Sequence, residues 1–385
     1  VQVEASKGTN CVSPVIIQQE RKKMTDQSQR LAALQGAMRS TQVDLAVIGP
    51  TANMRYLLGF APLADERLCL LLVSAAEAKI VVPSLNADDL AAHTDLPLYR
   101  WTDAAGPAEA LGQALAGMPV NKLTFDGGMR ADFLLPLLVH TSPQETDTVE
   151  PLIAPLRARK SAAEIEALAQ AAAQADRAMQ AAIDACRPGV TEAEVAWATE
   201  RAFRQDGAEV VTFTLIASGP NAAYPHHHSG PRRLQTGEPV IIDIGATLNG
   251  YQSDITRTIF LGNPPADFRQ AYAAVLEANE RGRAAVKPGV RAQEVDHATR
   301  RTLETAGYGD YFIHRTGHGL GLDVHESPWI MAGNDQVLAE GMVFSVEPGV
   351  YLPGRFGIRI EDIVAVTASG VRTLTGFDHQ LVIKQ

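Results

Sequence analysis

The sequence contains an echo of itself. Residues 187–203, RPGVTEAEVAWATERAF, align without gaps to 287–303, KPGVRAQEVDHATRRTL, at an offset of one hundred residues, and eight of the seventeen positions are identical. Eight matches in register exceed what Ala-rich helices share by chance, so residues 160–385 read as two related halves. Each half is expected to supply helices followed by antiparallel strands, the two packing about a pseudo-twofold axis. A β-rich stretch with two acids follows each echo. In the first, Val240 to Ile244 holds Asp243, Leu248-Asn249-Gly250 makes a turn, and Tyr251 to Leu261 carries Asp254. In the second, Val343 to Val346 leads into Glu347, Pro353-Gly354 turns, and Gly357 to Val366 carries Glu361. Both halves therefore predict a hairpin with one carboxylate per strand.

The 385 residues are too many for one domain of ordinary size, and the text changes character near Pro151. Residues 24–150 predict an α/β domain, with strands at Leu45–Ile48, Leu68–Val73, Ile80–Val82 and Leu123–Phe125 and helices over 105–117 and 127–139. It has no Gly-rich phosphate loop and is assigned no nucleotide chemistry. Residues 151–385 predict an α+β domain, opened by a long helix with Ser161 and Glu164 spaced as a capping box. Residues 1–23 run polar to basic and end in Arg21-Lys22-Lys23 before Met24, the wrong order for a secretory signal. They are read as a leader or an artificial extension, with Met24 as the natural start.

Charge and cysteine usage narrow the function. A formal net charge of −10 argues against nucleic acid or an anionic membrane as the partner and favours a small peptide. Cys11, Cys69 and Cys186 form neither a disulfide framework nor a CxxC knot, which suits a reducing cytoplasm. No stretch reaches the roughly 18 consecutive apolar residues needed to span a bilayer.

The acids carry the chemistry. Asp243 sits in Val-Ile-Ile-Asp-Ile-Gly, Glu347 in Phe-Ser-Val-Glu-Pro-Gly and Glu361 in Ile-Arg-Ile-Glu-Asp-Ile, all strongly apolar. A carboxylate is buried only with a partner, because desolvation costs several kcal/mol. If the hairpins face each other, four carboxylates converge, and Arg257 and Arg359 are too few to neutralise them. Two divalent cations are enough. His318, between Gly317 and Gly319, supplies an imidazole to the oxygen-rich set, a combination suited to Mn²⁺, Co²⁺, Zn²⁺ or Fe²⁺ and to two-metal hydrolysis. His226 and His325 lie in loops beside these segments, where neutral imidazoles would donate to a substrate carbonyl. His227 and His228 read as no more than a surface tract, and His93, His140, His297 and His379 as structural.

The blocks ASGPNAAYPH, IIDIGATLNGYQSDITRT, HRTGHGLGLDVHESP, FSVEPGVY and GIRIEDIV resemble, in order, the signature segments of the pita-bread metallopeptidases. The branch resembled is the proline-specific one, Xaa-Pro dipeptidases and Xaa-Pro aminopeptidases. Residues 24–150, with Asn53 to Phe60, resemble the smaller creatinase-type N-terminal domain. The resemblance implies that Asp243 chelates one metal, Asp254 and Glu361 bridge both, and His318 and Glu347 hold the other. It also implies that His226 and His325 bind and polarise the substrate, that His314 lines the pocket and that Arg359 braces the ligands. By chemistry, Glu347 is the candidate to move a proton to the departing proline nitrogen.

Short proline-containing peptides are then the expected substrates, with dipeptidase and aminopeptidase activity both open. Arg55, Arg67 and Arg355 are candidates for reading a dipeptide's carboxylate. The family commonly dimerises, and Arg55, Tyr56 and Phe60 resemble residues that would rim the neighbour's site, with local packing as the rival reading. A binding module on a non-catalytic scaffold and a methionine aminopeptidase-type activity remain as alternatives.

Overall fold

The computed structural model describes residues 14–385, with side chains from Asp26 onward. Most of the 1–23 segment, expected as a leader, thus lies outside the described residues. The chain divides into two compact units between Leu156 and Arg157.

The first unit runs α1 (Pro14–Thr41), β1 (Leu45–Ile48), α2 (Ala52–Leu58), β2 (Leu70–Ser74), β3 (Ala78–Pro83), α3 (Ser84–Ala91), β4 (Leu98–Trp101), α4 (Ala108–Leu115), β5 (Lys122–Phe125), α5 (Ala131–Thr141), β6 (Glu145–Thr148) and α6 (Glu150–Ala158). One six-stranded sheet has the order β4-β3-β2-β1-β5-β6. Its centre follows the apolar runs: Leu45, Val47, Leu70, Leu72 and Leu123 pack against Leu111, Phe133 and Leu137 of the helices. The edge strands β4 and β6 escape sequence reading because both are only four residues long, β6 is polar throughout and β4 fully buries Trp101 alone.

The second unit runs α7 (Ala162–Ala185), α8 (Glu192–Gln205), β7 (Val210–Ser218), β8 (Glu238–Leu248), β9 (Tyr251–Gln252), β10 (Ile255–Leu261), α9 (Ala266–Ala285), α10 (Ala292–Thr305), β11 (Gly317–Gly319), β12 (Glu326–Ile330), β13 (Val343–Val346), β14 (Gly349–Leu352), β15 (Phe356–Arg359), β16 (Asp362–Thr367), β17 (Gly370–Thr373) and β18 (Ile383–Lys384). The Ser161–Glu164 capping box opens α7, whose stripe of Leu168, Ala172, Ala175, Met179 and Ile183 is buried. Both copies of the echo fold alike. Gly189 and Gly289 take φ of 89° and 86°, which side chains resist. Gly189 N donates to Leu234 O at 2.8 Å, and Gly289 N to Leu338 O at 2.9 Å. Leu234 and Leu338 return the bond to Val190 O and Val290 O, so each loop is tied to its helix in the same way before a cavity strand begins.

The hairpins differ from expectation where their acids sit. β8 pairs antiparallel with β10, Asp243 opposite Thr256, as expected. In the second half, however, two nested ladders replace one continuous hairpin. β13 pairs with β16, and β14 with β15 around the Pro353-Gly354 turn. Glu347 and Glu361 fall in the breaks between them, and Asp254 falls between β9 and β10. At Glu347 the break follows from Pro348, which has no N–H to continue the ladder. The freed backbone turns elsewhere: Glu347 N donates to Thr316 O at 2.8 Å and Glu361 N to Thr256 O at 3.1 Å. Among the described residues no helix is long and apolar enough to cross a membrane.

Candidate metal centre

A cavity of about 570 Å³ in the second unit is lined by Asp243, Asp254, His318, Glu347 and Glu361, and by His226, His314, His325 and Arg359. The structure thus brings together every residue expected for the catalytic unit. Asp254, His318 and Glu361 each offer a ligand atom, and these lie within 4.8 Å of one another. His318 Nε2 stands 3.4 Å from Glu347 Oε1 and 3.7 Å from Asp254 Oδ2. Its Nδ1 faces Gly319 O at 3.1 Å, which favours the proton there and leaves the Nε2 lone pair to the cavity. The flanking glycine is required: a Cβ on Gly317 would fall 1.8 Å from Ser345 O.

The electrostatics are those of a site that takes a cation. Burial and then the charges of Glu361, Asp243 and Glu347 push the Asp254 carboxyl well above its usual range. Burial, Glu347 and Asp243 do the same to Glu361. Burial raises Glu347 to about 7 and lowers His318 to about 3, keeping that imidazole neutral. Arg359 is the buried cation that bonds directly to one of these acids. Burial opposes its charge, yet Tyr351, Asp243, Glu347 and Glu361 hold it protonated. It donates to Asp243 Oδ2, while Asp243 Oδ1 is buried without any hydrogen-bond partner. An orphaned carboxylate oxygen beside crowded acids and a neutral imidazole fits a divalent ion. Arg257, counted from sequence as a possible neutraliser, instead binds Asp362 at 2.8 Å and four backbone carbonyls.

Around the acids stand the imidazoles. His325 packs edge-on against His318, ring centroids 4.1 Å apart, and partial burial and Arg315 lower its pKa. His226 is exposed to the cavity. His314 is fixed through Nδ1 to Arg315 O at 2.7 Å and Nε2 to Tyr351 Oη at 2.9 Å, and burial drops its pKa to about 4. Tyr351 in turn accepts from Arg359 at 2.8 Å. On the far side, α10 supplies the buried Asp296, which accepts from Thr316 Oγ1 at 2.7 Å, just ahead of His318.

Several residues of the site were not singled out from sequence. Thr256 Oγ1 donates to Glu361 Oε2 at 2.7 Å and accepts from Arg359. Its place opposite Asp243 in the hairpin was the available signal. Arg315, Phe213, Leu215 and Val324 line the cavity wall with no local pattern to mark them. Arg315 lies 4.5 Å over the Trp329 ring. Of the arginines considered as carboxylate readers, Arg67 is engaged by Asp65, Glu66 and Asp103, and Arg355 by Asp267. In the first unit Arg55 is exposed, Tyr56 lies beneath Arg30 at 4.4 Å, and Phe60 stacks on His93 at 4.3 Å. His140 bonds Pro136 O at 2.9 Å and His379 bonds Asp362 at 2.7 Å, and neither is among the cavity-lining residues. His227, read as surface tract, is instead bonded to the buried Glu192.

The fold and site define a metallopeptidase, and the chain belongs to metallopeptidase family M24. That family's model matches residues 166–368, and the creatinase/prolidase N-terminal domain matches residues 30–159. The chain is 40% identical over 367 residues to the probable dipeptidase PepE of Mycobacterium tuberculosis, covering 92% of this chain and 96% of that one. It is 36% identical to the Xaa-Pro dipeptidase of Pyrococcus furiosus, covering 92% and 99%. Among solved structures it is similar to the prolidase of Pyrococcus horikoshii, with TM-score 0.86, 34% identity and coverage of 92% and 100%.

Proposed function

We propose that this protein is a two-metal exopeptidase that hydrolyses the bond before proline, with Xaa-Pro dipeptides as its substrates. One observation carries the reading: Asp254, His318 and Glu361 converge within 4.8 Å in the cavity that also holds the orphaned oxygen of Asp243 and the imidazoles of His226 and His325. Asp243, Asp254, His318, Glu347 and Glu361 would hold the metals, Mn²⁺, Co²⁺ or Zn²⁺. Divalent cations bound there supply Lewis acidity and make water reactive near neutral pH.

The chain's own residues do the rest. Water adds to the carbonyl carbon of the residue before proline, and His226 and His325 donate to the oxygen that becomes negative. Glu347 takes the proton released and passes it to the proline nitrogen as the C–N bond breaks. Phe213, Leu215 and Val324 give the cavity an apolar wall against the substrate. The dipeptidase reading is supported by the names of the similar proteins and by Arg315, a cavity-lining cation for the substrate carboxylate. Two further parts belong to the proposal: a homodimer in which the exposed Arg55, backed by the locally packed Tyr56 and Phe60, rims the partner's site, and residence in the cytoplasm, which the buried, unbridged Cys69 and Cys186 suit.

Hydrolysis of Ala-Pro beside Ala-Pro-Ala, before and after chelation, tests the reading. Cleavage of Ala-Pro that vanishes on chelation and returns with Mn²⁺ or Co²⁺ is expected. Preference for the longer peptide would move the assignment to an aminopeptidase, and full activity after verified demetallation would overturn the metal mechanism.

A further inference from the structure

Glu192, in the first turn of α8, is fully buried. A buried carboxylate persists where hydrogen-bond donors replace water, and here every donor comes from one stretch of chain, residues 218–230. Oε1 accepts from Ser218 N at 2.8 Å, Ser218 Oγ at 2.7 Å and Asn221 Nδ2 at 3.0 Å. Oε2 accepts from His227 Nε2 at 2.8 Å and Gly230 N at 3.2 Å. These bonds keep the carboxylate ionised despite its burial, holding its pKa below the usual range.

The stretch so gathered carries His226. No hydrogen bond among the described residues reaches the His226 ring, so its aim is set by the backbone on either side. Before it, Pro225 O accepts from Arg359 Nη1 at 3.4 Å. After it, His227 is held by Glu192. A second brace at the start of the stretch, Arg232 between Ser218 Oγ and Glu238, fixes the anchor serine.

We infer that Glu192 is a positioning residue: through Ser218, Asn221, His227 and Gly230 it sets the loop that presents His226 to the substrate. The inference rests on the reading of His226 as a substrate-binding group. Displacing a catalytic group by about 1 Å costs on the order of a hundredfold in rate, so a loop held by one carboxylate gives that residue leverage over turnover without contact with substrate.

A double-mutant cycle on the full-length, metal-loaded enzyme tests it. Glu192→Gln keeps size and one acceptor but turns an NH₂ toward His227 and Gly230. It should lower kcat on Ala-Pro by roughly tenfold or more, with KM and metal content little changed. In a His226→Ala background the same substitution should change kcat less than about twofold. Equal fold losses in both backgrounds, or no loss in either, would overturn the inference. If Glu192→Gln does not accumulate, His227→Phe, at the more exposed end of the network, gives the same reading with a smaller first loss. Should wild-type protein leave all Xaa-Pro peptides intact, the proposed function fails separately. Hydrogen exchange then decides the latch: a rise in exchange over 218–230 from wild type to Glu192→Gln, larger than any rise over 292–305, supports it, and unchanged exchange over 218–230 sinks it.

Discussion

Arg359 donates to one carboxylate oxygen of Asp243 and leaves the other buried with no partner. The arginine thus occupies one oxygen of Asp243, and a cation arriving at the other need not displace it. Because the folded protein presents such a site and the unfolded chain does not, added Mn²⁺ or Co²⁺ should raise the thermal midpoint, by an amount that grows with the logarithm of free metal. Differential scanning fluorimetry across a metal titration measures this.

Asp254→Asn and Glu361→Gln keep volume and remove charge at two of the three residues that converge. Both should abolish turnover and lower metal content by elemental analysis, whereas Asp103→Asn, in an exposed pair with Arg67, should leave activity intact. Two metals and normal kcat in both variants would remove them from the bridging role.

His226 and His325 are assigned to substrate and His318 to metal, and the two roles separate in one pair of measurements. His226→Ala and His325→Ala should keep their metal while kcat falls roughly a hundredfold or more. His318→Ala should lose metal. Metal loss in either of the first two would make that residue a ligand.

His314 carries a pH signature of stability. Its pKa is near its ordinary 6.5 when unfolded and about 4 when folded, burial being the main cause. Between those values the unfolded chain binds a proton that the folded protein does not, so the stability His314 allows is complete above pH 6.5 and falls toward pH 4. His314→Gln removes this titration. Urea unfolding at pH 7 and pH 5 should show the wild type losing on the order of 1–2 kcal/mol more than the variant over that interval; equal losses would contradict the assignment.

Arg315→Met keeps the stem that packs on Trp329 and removes the charge. If Arg315 reads the carboxylate of a dipeptide, KM for Ala-Pro should rise by about ten- to a hundredfold, the worth of a charge-assisted bond, while Ala-Pro amide is cleaved as before. Equal losses on both substrates would deny Arg315 that role.

The metal-site acids were legible in sequence as a set: one acid inside Val-Ile-Ile-Asp-Ile-Gly could be a strand-end salt bridge, but the echo implied two hairpins facing each other, and four such acids together need a cation. The ladder geometry was less so. Pro348 follows Glu347 in plain view, yet that its break would send the Glu347 N–H to Thr316 depends on a strand brought in from elsewhere. The same holds for Arg315, Phe213 and Glu192: each has an ordinary sequence setting, and its meaning comes from what the fold places opposite. β4 and β6 were missed for a different reason, since short edge strands, one polar throughout and one fully burying a single residue, carry little hydrophobic signal.

A two-residue strand, β18, fastens the catalytic unit to itself. β18 runs parallel to β10, with Ile383 beside Phe260, and Lys384 Nζ donates to the end of α7 at Ile183 O. The sheet that bears Asp243 is thereby fastened, through the Phe260–Leu261 end of β10, to the helix that opens the unit. Two residues remote from the cavity thus help to hold the strand beside Asp243 in place.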